Sequence, residues 1–320
     1  MNTSGNKEKR AIIALGGNAI TRKEIEDTIA NQFSNTRSCL TSIVELARRG
    51  YGLCISHGNG PQVGNALLRV ELARGKAPIL PLGICVADTE GGMGYMIEQS
   101  LQNRLDKDGV NRQVCTIISQ IVVDKDDPSI ANPTKYVGQF YSEEEALRLA
   151  KESGWKVKQD ADRGWRRVVA SPVPKSCVEK DVIKLLLDND VIVLAAGGGG
   201  IPVYIHPELG YEGVDAVIDK DRASAMLGRQ IGAELMLILT SVEQVALNFG
   251  QPNEKLLEDT TVSEMKKFLE QGHFPPGSMG PKVEAAIDFI ENGGEKVIVT
   301  SLEMAAEALQ GKAGTRIYPD

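Results

Sequence analysis

The chain has little of what most enzyme chemistry is built from. Its 320 residues hold three histidines, His57, His206 and His273, none spaced to share a metal ion, and the sequence contains no Gly-x-x-x-x-Gly-Lys-Ser/Thr or Gly-x-Ser-x-Gly stretch. The common phosphate loop, the hydrolase serine elbow and paired-histidine metal catalysis are thereby set aside, and no metal-binding residues are expected. Five cysteines (Cys39, Cys54, Cys85, Cys115, Cys177) are odd in number, widely spaced and set mostly among aliphatic residues, which fits reduced core thiols better than disulfides or zinc ligands. No apolar run approaches the length that spans a bilayer, and Met1 to Arg10 lacks the apolar core of a signal peptide. A cytoplasmic location without membrane contact is expected. The net charge of −7 argues against a nucleic-acid surface as the main business of the chain. No internal repeat, low-complexity segment or coiled coil is visible.

What is present is glycine at the ends of buried strands. Ala11 to Leu15 runs into Gly16-Gly17-Asn18, Tyr51 to Ser56 into His57-Gly58-Asn59-Gly60-Pro61-Gln62-Val63-Gly64, and Val191 to Ala196 into Gly197 to Gly200, Ile201 and Pro202. Aliphatic runs of this kind read as strands of a parallel sheet, whose ligand crevice lies outside the carboxyl ends, so the three turns belong on one edge. Four consecutive glycines let backbone amides approach a bulky anion, although a glycine turn followed by an N-capping aspartate would give the same pattern. Val217-Ile-Asp-Lys-Asp221 places Lys220 between two carboxylates just before a helical pattern through Ala223, Met226, Leu227 and Ile231. Gly58-x-Gly60-x-x-x-Gly64 departs from the dinucleotide fingerprint in its spacing, and His57 is read as a turn residue.

Elsewhere the patterns predict one helix from Ile29 through Phe33 and Leu40 to Ala47, and a loop over 76 to 96 leading into a helix through Met96, Leu101 and Leu105. They predict one buried strand over Val114 to Val123. At 42% hydrophobic and 25% charged residues, the chain is large enough for two lobes. Residues 125 to 174 change composition and read as an inserted subdomain with a hairpin around Asp160 to Gly164. Arg163, Arg166 and Arg167 read as its solvated face, and Lys135, on its leading loop, as a residue that closes over a cleft as part of a lid. Further strands are expected at Leu235 to Thr240 and Val297 to Thr300, with a helix that has Pro281 at its first position. Lys282 then falls in the first helical turn, where the dipole disfavours a cation by up to about 1 kcal/mol unless an anion is also present. Several anion turns, two well-placed lysines and no evident general base suit a substrate whose nucleophilic oxygen is already ionised, a carboxylate or carbamate.

Taken together, Ala-Leu-Gly-Gly-Asn18, His57-Gly-Asn-Gly-Pro-Gln-Val-Gly64, Asn132-Pro-Thr-Lys135, Gly197-Gly-Gly-Gly-Ile-Pro202, Val217-Ile-Asp-Lys-Asp221 and Gly277-Ser-Met-Gly-Pro-Lys282 resemble the carbamate kinases of the amino acid kinase family, in order and over nearly the whole chain. The resemblance implies a three-layer α/β/α sandwich with a mainly parallel central sheet. It implies an acceptor-binding lobe over 1–205, carrying the protruding subdomain at about 125–174, and a nucleotide-binding lobe over 206–320. The implied reaction is reversible phosphoryl transfer from ATP, with Mg²⁺, to carbamate, giving ADP and carbamoyl phosphate, usually in a homodimer. By the same resemblance Gly16, Gly17 and Asn18 would bind the transferring phosphoryl group through backbone amides, with Gly58, Asn59 and Gly60 near the carbamate and Gly198 and Gly199 completing the phosphate site. Lys220 and Lys282 would neutralise phosphate charge, Asp221 would hold them in register and Lys135 would reach in from the subdomain. Thr240, Ser241, Met279 and Lys282 would meet the nucleotide. Carbamate kinases commonly carry Asp where Gly83 stands, Gln where Glu90 stands and often an aspartate near Ser241 to Glu243, departures that bear on the acceptor and on the fit of the nucleotide. A kinase of another small carboxylate, or a catalytically weak nucleotide-binding homologue, remains open at this point.

Overall fold

A computed structural model describes residues 9–20, 26, 28–160, 163–275 and 277–320, the side chains of 18 and 19 excepted. Most of the N-terminal segment Met1 to Arg10 therefore lies outside the described residues. The centre is an eight-stranded sheet in the order Asp259–Thr261, Thr315–Tyr318, Lys296–Ser301, Leu235–Thr240, Arg10–Leu15, Gly52–His57, Ile192–Leu194 and Val114–Thr116. Every pairing is parallel except that of Lys296–Ser301 with Thr315–Tyr318.

The continuous aliphatic strands follow from burial on both faces. Alternation sends Ile12, Ala14, Cys54, Val193, Met236, Ile238, Val297 and Val299 into one core, under the helices Lys180–Asp188, Lys220–Ile231, Val262–Glu270 and Met279–Glu291. Ala11, Ile13, Leu15, Leu53, Ile55, Ile192, Leu194, Leu237 and Ile298 enter the other, under Thr41–Arg48, Leu82–Lys107 and Ala305–Leu309. The result is the expected three-layer α/β/α sandwich.

Three local expectations change. Ile29 to Ala47 is two helices, Ile29–Ser38 and Thr41–Arg48, because the Cys39 amide turns back onto Thr36 O (3.0 Å) and ends the first. The loop expected over 76 to 96 gives way at Leu82 to a helix of 26 residues, Leu82–Lys107, with Gly91, Gly92 and Gly94 in its middle. Gly94 is there for packing: a Cβ would lie 2.2 Å from Thr116 Cγ2, so only glycine lets the helix rest on that strand. Val114 to Val123 splits into Val114–Thr116 in the central sheet and Gln120–Val122 in a separate four-stranded sheet, with Ser119 at the bend.

The insertion is an antiparallel sheet of Lys135–Tyr141, Trp165–Val169 and Lys156–Gln159, with the helix Glu143–Ser153 capped by Ser142 and ended by left-handed Gly154. Of its arginines Arg163 stays exposed, as expected of a solvated face, while Arg166 and Arg167 are half-buried. Arg166 donates to Gly138 O (2.8 Å) and Asp160 (3.2 Å), Arg163 donates to Asp160 (2.8 Å), and Arg167 lies over the Trp155 ring. They tie the hairpin together because this small sheet has few apolar residues of its own. Gly64 then docks the unit on the body, since a Cβ there would meet Gly138 Cα at 3.1 Å.

Candidate active site

Four neighbouring parallel strands, Leu235–Thr240, Arg10–Leu15, Gly52–His57 and Ile192–Leu194, deliver their carboxyl ends to one edge of the sheet. The turns that leave them bring Ser241, Gly16-Gly17, Gly58-Asn59 and Gly197–Gly200 together. They are locked to one another, Gly16 N donating to Leu239 O at 2.9 Å and Gly58 N to Leu15 O at 3.0 Å. The contact is too close for side chains: a Cβ on Gly58 would lie 2.9 Å from Gly17 N and 3.4 Å from Lys220 Cδ. This placement corrects one detail of the expected anion site. The Gly16 and Gly58 amides are already engaged by carbonyls, and the amides that open on the edge belong to the starts of the helices Gly17–Ile20 and Gly60–Leu72, where the first turn lacks intrahelical acceptors.

The four-glycine turn is likewise not an open cradle. Gly197 to Gly200 are all buried, and the amides of Gly199 and Gly200 donate to Ala196 O (3.1 Å) and Gly197 O (3.0 Å). A Cβ on Gly198 would fall 2.2 Å from the Asn59 amide group, and one on Gly199 2.4 Å from Ile218 O. The turn is therefore a seat for Asn59, whose Nδ2 donates to Thr89 Oγ1 at 2.9 Å, and for the segment that leads to the lysines.

The charge is concentrated at the start of the helix Lys220–Ile231. Asp219 caps it, Oδ1 accepting from the amides of Asp221 (3.0 Å) and Arg222 (3.4 Å), while its Oδ2 faces Lys135 Nζ at 3.4 Å. Lys135 also donates to Ile218 O at 3.3 Å. Asp221, 2% exposed, accepts from Lys220 Nζ at 2.5 Å on one oxygen and from Lys282 Nζ at 3.0 Å on the other. Burial alone would raise the Asp221 carboxyl, but the two ammonium groups hold it below the usual carboxylate value. Two lysines against one aspartate leave one net positive charge, next to the glycine edge because the Lys220 stem passes over Gly58. Burial lowers Lys135, opposed mainly by Asp219.

Lys282 is the fourth residue of the helix Met279–Glu291, which starts two residues ahead of Pro281 rather than at it. Its unfavourable place against the helix dipole is offset inside the protein by Asp221, 61 residues away in sequence. Met279 is half-buried at the head of the same helix, and Thr240, paired with Ser301, ends its strand with exposed Ser241 beyond it. Lys220, Asp221 and Lys282 therefore form one bonded set, Lys135 joins it through Asp219, and the glycines and Asn59 form its floor. Reading the sequence singled out Glu90 only as a departure from the family pattern and missed Ser119 beside it beneath the turn, since both act across long sequence separations. The paired role of Asp219 was visible only as an N-cap signal. His57 is the last residue of the strand Gly52–His57 rather than part of the turn, it is buried, and burial, only partly offset by the Gly58 backbone, holds its imidazole down to about 4. It is uncharged at neutral pH.

Residues 9–301 match the model of the amino acid kinase family. The chain is 49% identical over 313 residues to the carbamate kinase of Pyrococcus furiosus, covering 97% of this chain and 99% of that one. It is 44% identical over 309 residues to a carbamate kinase-like protein of Escherichia coli, covering 96% of this chain and 98% of the other. Among solved structures, the carbamate kinase of Giardia lamblia bound to AMP-PNP superposes with a TM-score of 0.91 at 41% identity, covering 98% of this chain and 99% of that one.

Proposed function

The chain belongs to the amino acid kinase family, and on that premise we propose that it is a carbamate kinase, moving a phosphoryl group reversibly between ATP and carbamate to give ADP and carbamoyl phosphate. The observation that carries this reading is the pair Lys220 and Lys282 on the single buried carboxylate of Asp221, holding one surplus positive charge beside the glycine edge. A carbamate oxygen is already ionised, so the reaction needs alignment and charge neutralisation rather than a base. The absence of a charged histidine at the site is in keeping with that need. The surplus charge meets the negative charge that spreads over the transferring group, at a place fixed before substrate arrives.

The acceptor belongs over Gly17, Asn18, Asn59 and Gly60 on the lobe of residues 1–205, and the nucleotide over Thr240, Ser241, Met279 and Lys282 on the lobe of 206–320. Lys135 reaches the same centre from the insertion. Mg²⁺ enters in this reading as part of the nucleotide substrate, held by its phosphates and water. A homodimer fits the exposed Ile84, Ile118, Ile205 and Tyr211 on the helix Leu82–Lys107, the neighbouring bend and the four-stranded sheet. No helix among the described residues is long and apolar enough to cross a membrane. The test is to mix the protein with ADP, Mg²⁺ and carbamoyl phosphate, with acetyl phosphate in a parallel sample. ATP forming from carbamoyl phosphate alone is expected, while ATP from acetyl phosphate alone, or none from folded protein, would overturn the assignment.

A further inference from the structure

Beneath the glycine turn lies a carboxyl group to which the phosphoryl-transfer reading gives no task. Glu90, in the middle of the helix Leu82–Lys107, is 1% exposed. Its oxygens accept from Gly197 N at 2.9 Å and from Ser119 N at 3.2 and 3.3 Å. Ser119 fastens the rest of the turn, its hydroxyl accepting from Ala196 N at 2.8 Å and its carbonyl from Ile201 N at 2.8 Å. Ala196 is held in the left-handed region (φ 52°), which a residue with a side chain adopts only when its neighbours enforce it. Glu90 and Ser119 thus clamp both ends of the turn on which Asn59 rests.

Among the described residues no lysine or arginine bonds to Glu90. The ionisable groups that face it are Glu179, at the start of the helix Lys180–Asp188, Cys177, and His57 across Gly197, where an added Cβ would lie 2.4 Å from His57 Nε2 and 2.9 Å from Glu90 Cγ. All are neutral or negative when His57 is uncharged. We propose that Glu90 works as an uncharged carboxylic acid, a positioning residue that clamps the glycine turn beneath Asn59, and that losing its proton in alkaline solution leaves a buried charge without a counter-charge that destabilises the fold around the turn. A buried carboxylate with no counter-charge is strongly disfavoured. In keeping with this, burial lifts the Glu90 carboxyl from 4.5 to about 8, against the pull of the Ser119 and Gly197 amides and with a smaller push from Glu179.

The folded protein then keeps a proton that the unfolded chain has released. Its contribution to stability is full below about pH 4.5 and is lost as the pH rises through about 8. Glu90→Gln keeps the shape and the accepting oxygen but cannot ionise. Ligand-free melting of both proteins from pH 4.5 to 9 should give matching midpoints at the acid end and a variant that becomes more stable than the wild type, by several degrees, toward pH 9. A gap of constant size, or a variant weaker by more at pH 9 than at pH 5, overturns the proposal. The kinetic arm rests on the proposed reaction: turnover of the wild type should fall above about pH 8 relative to the variant, whereas an identical alkaline limb removes the positioning role even if the melting gap opens. Should the variant not fold, ¹³C NMR of glutamate-labelled wild type decides the matter, with one side chain expected to titrate near 8 and the idea lost if all titrate below about 6.

Discussion

Asp221 and Glu90 are buried almost equally, at 2% and 1% exposure, yet they take opposite protonation states within one site. Asp221 sits between two ammonium groups and is held ionised, while Glu90 meets only backbone amides and is held protonated. Burial by itself pushes both carboxyls the same way, so the counter-charges decide. The comparison also separates two jobs. The ionised carboxylate organises positive charge for a substrate, and the neutral acid organises a backbone turn for the floor beneath it.

The strongest way to break the comparison is Asp221→Asn, which makes the charged centre as neutral as its neighbour. Lys220 and Lys282, with side chains 13% and 17% exposed, would then face each other without a counter-charge. Removing one partner from a buried ionic group typically costs about 3–5 kcal/mol, so the urea midpoint should fall accordingly and turnover with it. An unchanged midpoint would mean that Asp221 holds nothing together.

Gly58→Ala tests the floor instead of the charge. The new methyl would meet Gly17 N at 2.9 Å, a rigid backbone contact, so a loss of about 1–3 kcal/mol is expected. A shift of the edge by even part of an ångström would lower turnover, by roughly a hundredfold if it reaches 1 Å. Gly213→Ala, in the four-stranded sheet, has nothing within 4 Å of its added Cβ and serves as the control, expected to stay near wild type. If the two variants behave alike, the close approach of the turns is irrelevant.

The smallest effect is expected from His57→Asn, and only in acid. Because the folded imidazole titrates near 4 rather than 6.5, the folded state binds fewer protons than the unfolded one between those values. The wild type should lose stability as the pH falls from 6.5 to 4, and the variant should show a flatter acid limb with little difference at neutral pH. A matching acid slope in both proteins would place the proton elsewhere.

The central strands were legible because local chemistry fixes them: Ala11 to Leu15 and Leu235 to Thr240 are aliphatic runs that stop at turn residues, and the parallel order places their ends on one edge. The misfit of Lys282 with its helix was legible too, from the sign of the dipole alone, and the resemblance added Asp221 as its holder. The bend at Ser119 was hidden, since it answers to Glu90 and to Ala196, 29 and 77 residues away. So was the start of the helix Leu82–Lys107, because Gly91, Gly92 and Gly94 read as a loop, and of the three only Gly94 is there for contact with a strand. The strands Asp259–Thr261, at the edge, and Thr315–Tyr318, next to it, are short and largely polar, and only their pairing makes them strands.

The central claim is that the surplus positive charge at Asp221 is kept for the transferring group and not for the fold. Lys282→Ala tests it most directly, because Lys220 still neutralises Asp221 while the surplus disappears. Ligand-free melting and ATP formation from ADP and carbamoyl phosphate should be measured on the same preparation. The expected result is a melting temperature close to wild type with turnover lower by roughly a hundredfold or more. A variant that melts far earlier yet keeps near-normal turnover would contradict the account and make Lys282 a structural partner of Asp221.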